Sequence, residues 1–188
     1  MARAKGGIDG KRMKTDAAFA RTRENWMEFG RAGRAGKLLR MALMAYVKNM
    51  GDKRMVSRLT KEMMVVVKAD ATSTRGQRNV LDGELELLAG FNFNAGAPLS
   101  TVLKTAYTAT IDRATGLLSV AVPGFVPAHY IDAPEAASHV RLVTAGAAIN
   151  FEAGTYETVT AQSAEIALGN TEVAAIALNN QLTANSTH

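Results

Sequence analysis

The sequence predicts an α+β protein: a basic N-terminal helical arm and hairpin followed by a small antiparallel β-sandwich. Three observations carry this. Apolar residues recur at helical spacing from about residue 16 to residue 69, then give way to short alternating runs beyond about residue 80. A polar stretch, "DATSTRGQRNV" from Asp70, separates the two patterns. Charge changes with the pattern: residues 1–80 hold 19 Lys/Arg against 7 Asp/Glu, a balance of +12, and residues 81–188 hold 3 against 10, a balance of −7. The expected organisation is a basic helical arm and helix pair over 1–70, a linker over 71–86 and a β-sandwich-like domain over 87–188.

Composition bounds the function. A hydrophobic share of 47% is that of a folded chain. The absence of cysteine excludes disulfides, thiolate metal sites and a cysteine nucleophile. There is no run of about 18 apolar residues, so no membrane-spanning helix is expected. The opening "MARAKGGIDGKRMK" has no apolar signal-peptide core, which predicts synthesis in the cytosol and any release by a non-Sec route.

The elements follow in chain order. Residues 1–14, small and basic with Gly6, Gly7 and Gly10, read as a flexible arm. Thr15 or Asp16 is positioned to cap a helix that "AAFARTRENWMEF" carries to Phe29. Gly30, Gly33 and Gly36 then predict a bend or a packing seam, because each costs a helix about 1 kcal/mol against alanine.

"GRAGRAGK" resembles a phosphate-binding loop only superficially. A P-loop ending at Gly36-Lys37 needs its first glycine at position 31, which is Arg31, and a hydroxyl after the lysine, where Leu38 stands. A dinucleotide fingerprint fails too, since no two of these glycines are two apart. No nucleotide or other cofactor is expected.

Beyond the glycines, Leu38, Leu39, Ala42, Leu43, Tyr46 and Val47 line one side of a helix. Gly51 ends it and Asp52 caps the next. There Met55, Val56, Leu59, Met63, Val66 and Val67 form an apolar stripe opposite Lys53, Arg54, Arg58, Lys61 and Lys68. Met64 and Val65 on that basic side point to an apolar contact as well.

In the second half, "TAYTATID" and "LLSVAV" flank "RATG", a β-hairpin with Gly116 at the positive-φ position. Further strands are expected at "GFNF" near Phe91, "HVRLVTA" from His139, "AINFEA" from Ala148, "YETVTA" from Tyr156, "AEIAL" from Ala164 and "VAAIAL" from Val173. "VPGFVPAHYIDAPEAAS" reads as a long connection and "NNQLTANSTH" as a loose end. Glu84 and Glu86 alternate with Leu85 and Leu87 as on the outer face of a strand. His129, His139 and His188 are scattered, and the serines lack a nucleophile-elbow context, so no catalytic residue, metal ligand or small-molecule substrate is expected.

The stretch Thr15–Arg40, with "TRENWMEFGRAGRAGKLLR" at its core, resembles a family of uncharacterised Bacteroidetes proteins, and the likeness extends through "RMVSRLT", "DATSTRGQRNV", "LLAGFNFN" and "TATIDRATG". The resemblance implies no activity. Two departures stand out: Trp26-Met27 replaces small or polar residues, and the family continues past the position of His188 with apolar strand-like residues. The second implies an open sheet edge, which invites strand addition.

These features predict a non-enzymatic structural or interaction protein whose chief partner is a further copy of itself. The basic arm of one copy would dock on the acidic half of the next, a head-to-tail contact that makes rings or filaments. The expected contact residues, for self-association or an anionic partner, are Arg21, Arg23, Trp26, Phe29, Arg31, Arg34, Lys37, Arg40, Arg58 and Lys61. The alternative is nucleic-acid binding through the basic half, with the arginines on phosphates and salt-sensitive affinity. A carbohydrate- or surface-binding sandwich is a third reading, on fold analogy alone.

Overall fold

The computed structural model describes Gly7 and residues 9–186 of the chain. The fold is α+β, with helices first and antiparallel strands after. Packing divides it into two units that interleave in sequence: Met1–Lys37 with Val56–Phe91, and Leu38–Met55 with Asn92–His188. Residues 71–86, expected as a linker, pack as part of the first unit. Interleaving also redistributes charge. The first unit holds 15 Lys/Arg and 9 Asp/Glu, a balance of +6; the second holds 7 and 8, a balance of −1. The steep division along the sequence is shallower in the packed units, because residues 38–55 bring four cations to the strands.

The first unit begins with a short helix, α1 (Gly10–Thr15), so the expected arm is helical from Gly10; residues 1–6 and 8 lie outside the described residues. Asp16 is extended, and its side chain accepts from Ala18 N at 2.9 Å. It thus caps a 3-10 turn, Ala17–Phe19, that runs into α2 (Ala20–Ala42). The helix passes unbroken through Gly30, Gly33 and Gly36, so the expected bend is absent. Its inner face, Glu28, Ala32, Ala35 and Gly36, follows a spacing of three and four. Gly36 lies against Leu59 and Met63 of α4 (Met55–Ala69), and these two with Val66 and Val67 of the same helix are each at most 1% exposed. Burying such side chains stabilises by roughly 1.5–3 kcal/mol apiece. A Cβ at Gly36 would lie 3.6 Å from Leu59 and Met63, an ordinary contact.

Two expected strands of this unit are absent. Glu84 to Leu87 instead lies at a 3-10 turn, Leu85–Leu88, and "GFNF" is irregular. Alternation over four residues makes a strand only where a neighbour supplies the ladder, and no described strand pairs with either segment.

In the second unit, α3 (Met44–Met50) ends with Gly51 N–H donating to Val47 O. Asp52 then caps the following turn, its Oδ1 accepting from Arg54 N at 2.7 Å. Val47 and Met55 are buried. Two single-turn helices, α5 (Leu99–Val102) and α6 (Pro127–Tyr130), punctuate the later chain, the second inside the long proline-marked connection.

The strands are β1 (Thr108–Asp112), β2 (Leu117–Val122), β3 (His139–Val140), β4 (Val143–Asn150), β5 (Thr155–Gln162), β6 (Ile166–Ala167) and β7 (Ile176–Gln181). They form three small, separate antiparallel sheets, β1-β2-β7, β3-β6 and β4-β5: antiparallel strands follow the helices as expected, and the finer expectation of a sandwich is not confirmed. The β1–β2 hairpin turns at Gly116, φ 74°, where Leu182 O crowds the space a Cβ would need.

"HVRLVTA" divides between β3 and β4, since Leu142 N turns out of the ladder to Ser163 Oγ at 3.0 Å. "AINFEA" supplies the end of β4 and its turn, "AEIAL" shrinks to β6, and "VAAIAL" starts pairing in β7 only at Ile176. The supposedly loose ending contributes Asn179, Asn180 and Gln181 to β7 and a buried Leu182; residues 187 and 188 lie outside the described residues. The core of the unit is Val122, Phe125 and Ile166, ringed by Val120, Ile131, Val140, Leu142, Val173 and Ile176. The β4–β5 hairpin covers part of the first sheet: Gly146 lies against Leu118, and Asn180 Nδ2 donates to Thr144 Oγ1 at 2.8 Å.

Candidate functional site

The inner face of α2 carries one charge, Glu28, which is fully buried. An ionised carboxylate in that position is costly unless its oxygens are paired. Its partners come from the stretch expected as a linker. Gly76 N–H donates to Glu28 Oε1 at 2.7 Å, and Arg78 closes a two-pronged fork, Nε to Oε1 at 2.8 Å and Nη2 to Oε2 at 2.9 Å. Gly76 is required here: its φ is +85°, and a Cβ would press on Glu24 and Met27.

One turn further along α2, Arg31 reaches back over the same loop. Its guanidinium donates to the carbonyls of Gly76 and Arg78 and to Gln77 Oε1 at 2.9 Å. Arg75 answers from the loop, pairing with Glu24 at 3.2 Å and Asn25 at 2.9 Å. Asp70 organises the loop from within, accepting from Thr72 N, Thr72 Oγ1 and Ser73 N on one oxygen and Asn79 N on the other.

Both carboxyls titrate below their ordinary range. For Glu28, burial pushes the pKa up, but the Arg78 hydrogen bonds, the Gly76 N–H and the charges of Arg78 and Arg75 outweigh it. For Asp70, burial again opposes ionisation and is outweighed by donors from Ser73, Asn79 and Thr72. Glu28 in turn raises the Arg78 pKa. Saturated and enclosed, the two carboxylates hold a loop in place.

The outer face of α2 is the converse. Trp26, Gly30, Gly33 and Lys37 recur at intervals of four, three and four and so share one stripe, with Phe29 and Arg34 beside it. Trp26 is 48% exposed and Phe29 59%. A Cβ at Gly33 would meet nothing within 4 Å, and one at Gly30 would meet only the tip of Arg34. The backbone N–H groups of "GRAGRAGK" lie in the interior of this helix and are committed to its ladder, so the stretch is no phosphate cradle.

The ten expected contact residues therefore separate. Trp26, Phe29, Arg34 and Lys37 come together on the outer stripe. Arg21 on α2 and Lys61 on α4 are exposed, and Arg40 is half-buried. Arg31 is committed to the loop. Arg23 is turned back to the carbonyls of Met13 and Asp16, at 3.0 and 2.7 Å. The Arg58 guanidinium lies 5.1 Å from the centre of the Phe91 ring. Local order at a helix start thus engages Arg23, and contacts distant in sequence engage Arg31 and Arg58, three arginines that composition alone assigns to a partner.

Sequence reasoning missed Glu28, Asp70 and Arg78. The signal was the placement of Glu28 four residues before Ala32, on the face of the small residues, where a carboxylate demands a cation from elsewhere.

In the second unit, a shallow open cleft of about 530 Å³ runs along residues 162–167, 171–173 and 175–178, with Glu165 and Glu172 as its charged groups. His129 and His139 are exposed, the latter 3.0 Å from Ser138 Oγ. Among the described residues, no three His, Cys, Asp or Glu side chains gather as metal ligands, and no helix is long and apolar enough to cross a membrane. No protein-family model, curated protein or solved structure matches this chain.

Proposed function

We propose that this chain is a non-enzymatic structural or interaction protein that associates with copies of itself, using the outer stripe of α2 as one contact surface. The observation that carries the reading is the pairing of exposed Trp26 and Phe29 with two glycines beside which, among the described residues, a Cβ would meet nothing (Gly33) or only the tip of Arg34 (Gly30). Each such glycine costs the helix about 1 kcal/mol. A close-approaching partner gives that cost a purpose, and aromatic anchors beside it are typical of contact hot spots. Arg34 and Lys37 flank the stripe, and residues 92–188 hold 7 Asp/Glu against 3 Lys/Arg. With the four cations of residues 38–55 the same unit balances at −1, so a second copy's strand region offers a seat through its local carboxylates rather than through net charge. A contact between two different surfaces is heterologous and builds rings or filaments.

The test is light scattering on the purified protein from a sizing column at ~50 and ~500 mM salt, a range over which surface charges become screened. Absorbance at 260 and 280 nm is recorded throughout. Masses at multiples of the 20.0 kDa chain at low salt, reduced by Trp26→Ala with Phe29→Ala, are expected. A wild-type monomer at low salt overturns the proposal. A nucleic-acid-like absorbance ratio transfers the stripe to the alternative, in which Arg34 and Lys37 meet phosphates and Trp26 stacks on bases.

A further inference from the structure

We propose that β1 is a second, independent interface, through which two copies of this chain join antiparallel into one continuous six-stranded sheet with Thr110 on the twofold axis. β1 is an edge of the β1-β2-β7 sheet, and all five of its residues are exposed. Folded proteins commonly protect such an edge with lysine, proline, a bulge or a covering segment. Among the described residues, β1 has none of these. Its sequence is TATID, and its register with β2 runs without interruption from Thr108↔Ala121 to Asp112↔Leu117.

The strand is complementary to itself. Paired antiparallel about Thr110, Ile111 of each copy faces Ala109 of the other, and Thr110 faces Thr110. Asp112, the only charge in β1, faces the hydroxyl of Thr108 and is already held by its own turn, Oδ1 accepting from Ala114 N at 2.9 Å and Oδ2 from Thr115 Oγ1 at 2.8 Å, so it meets no like charge. Just beyond the strand, Arg113 faces Tyr107, an exposed ring suited to a cation–π contact. No two like charges oppose each other in this register.

The apolar side of β1 also continues the core. Ala109 pairs with Val120 and Ile111 with Leu118 in β2; these in turn pair with Leu178 and Asn180 of β7, both buried. The β4–β5 hairpin lies over Leu118, and Ile111 remains 71% exposed. A second copy extends the apolar rows across the axis and shields Ile111 on its open side. Because the same edge is used by both partners, the contact closes at two.

The test keeps this contact separate from the α2 stripe by using the Trp26→Ala, Phe29→Ala background at ~150 mM salt, where directly opposed charges still interact. Light scattering over about a hundredfold range of protein concentration should show a monomer–dimer equilibrium. Ala109→Lys with Ile111→Lys places ammonium groups opposite each other twice and should raise the dissociation constant at least about tenfold. Ala109→Lys with Ile111→Glu restores opposite charges in this register only, and should restore the dimer. Since the chain has no cysteine, Thr110→Cys supplies a single thiol that should cross-link copy to copy on mild oxidation, ahead of Ile111→Cys. Circular dichroism confirms that each variant is folded. A monomer throughout the concentration range, or a dimer indifferent to the paired lysines, overturns the proposal.

Discussion

The segments 70–83 and 107–116 both mix threonine, arginine and aspartate, and they leave their backbones in opposite states. In the first, Asp70, Arg75, Gly76, Arg78 and Asn79 all find partners inside their own unit. In the second, β1 pairs along one edge and leaves the other open. Composition does not distinguish a saturated segment from an unfinished one; the distinction lies in where the backbone and side-chain hydrogen bonds go. The saturated segment is internal architecture, and the unfinished edge is where a partner is to be sought.

The contrast is broken most forcefully at Glu28. Glu28→Ala leaves Arg78 half-enclosed without its carboxylate and should cost about 3 kcal/mol of stability by denaturant unfolding. Glu28→Gln keeps one oxygen to accept from Gly76 N–H and Arg78 Nε, sets an NH2 against Arg78 Nη2, and should cost less than the alanine. An unchanged midpoint for Glu28→Ala would show that the loop does not depend on the fork.

Acid sharpens the same point. Glu28 and Asp70 have lowered pKa values in the folded state, so the unfolded chain binds more protons below the ordinary carboxylate range. Their stabilisation is complete above about pH 5 and is lost as pH falls through about 4 and towards the folded values. Glu28→Gln should flatten this loss between about pH 5 and pH 3 in thermal melts.

Smaller effects belong to the open surfaces. Gly33→Ala should stabilise the monomer by about 1 kcal/mol, since the added methyl meets nothing within the chain. If the stripe seats a partner closely, the same change weakens low-salt assembly while raising the melting temperature. Smallest of all, Ile111→Lys should alter monomer stability by less than about 0.5 kcal/mol, as expected of an exposed position.

Legibility followed the range of the interaction. The Asp16 cap, the Gly51–Asp52 junction, the apolar stripe of α4 apart from the exposed Val56, and the hairpin at Gly116 depend on neighbours within a few residues, and the sequence displays them. The Glu28–Arg78 fork spans 50 positions, and its loop half resembles a spacer because its polar residues are also those of a linker. The single sandwich was expected from strand spacing alone, which does not specify which strands pair. "HVRLVTA" shows why: one apolar run serves two sheets once Ser163 intercepts Leu142. On α2, the glycine spacing marked a special helix, but which side of each glycine was empty became visible only with α4 in place.

The fork has a consequence for how this chain meets a protease. Enzymes that cut after arginine must draw the side chain into a pocket and straighten several residues around it. Arg75 and Arg78 lie in the stretch whose composition most invites such cleavage, yet their guanidiniums are engaged by Glu24, Asn25 and Glu28. Cutting there requires prior release of the loop, so the first nick at this junction reports the opening of the unit. The most cleavable-looking stretch of the sequence thereby becomes a clock for its unfolding.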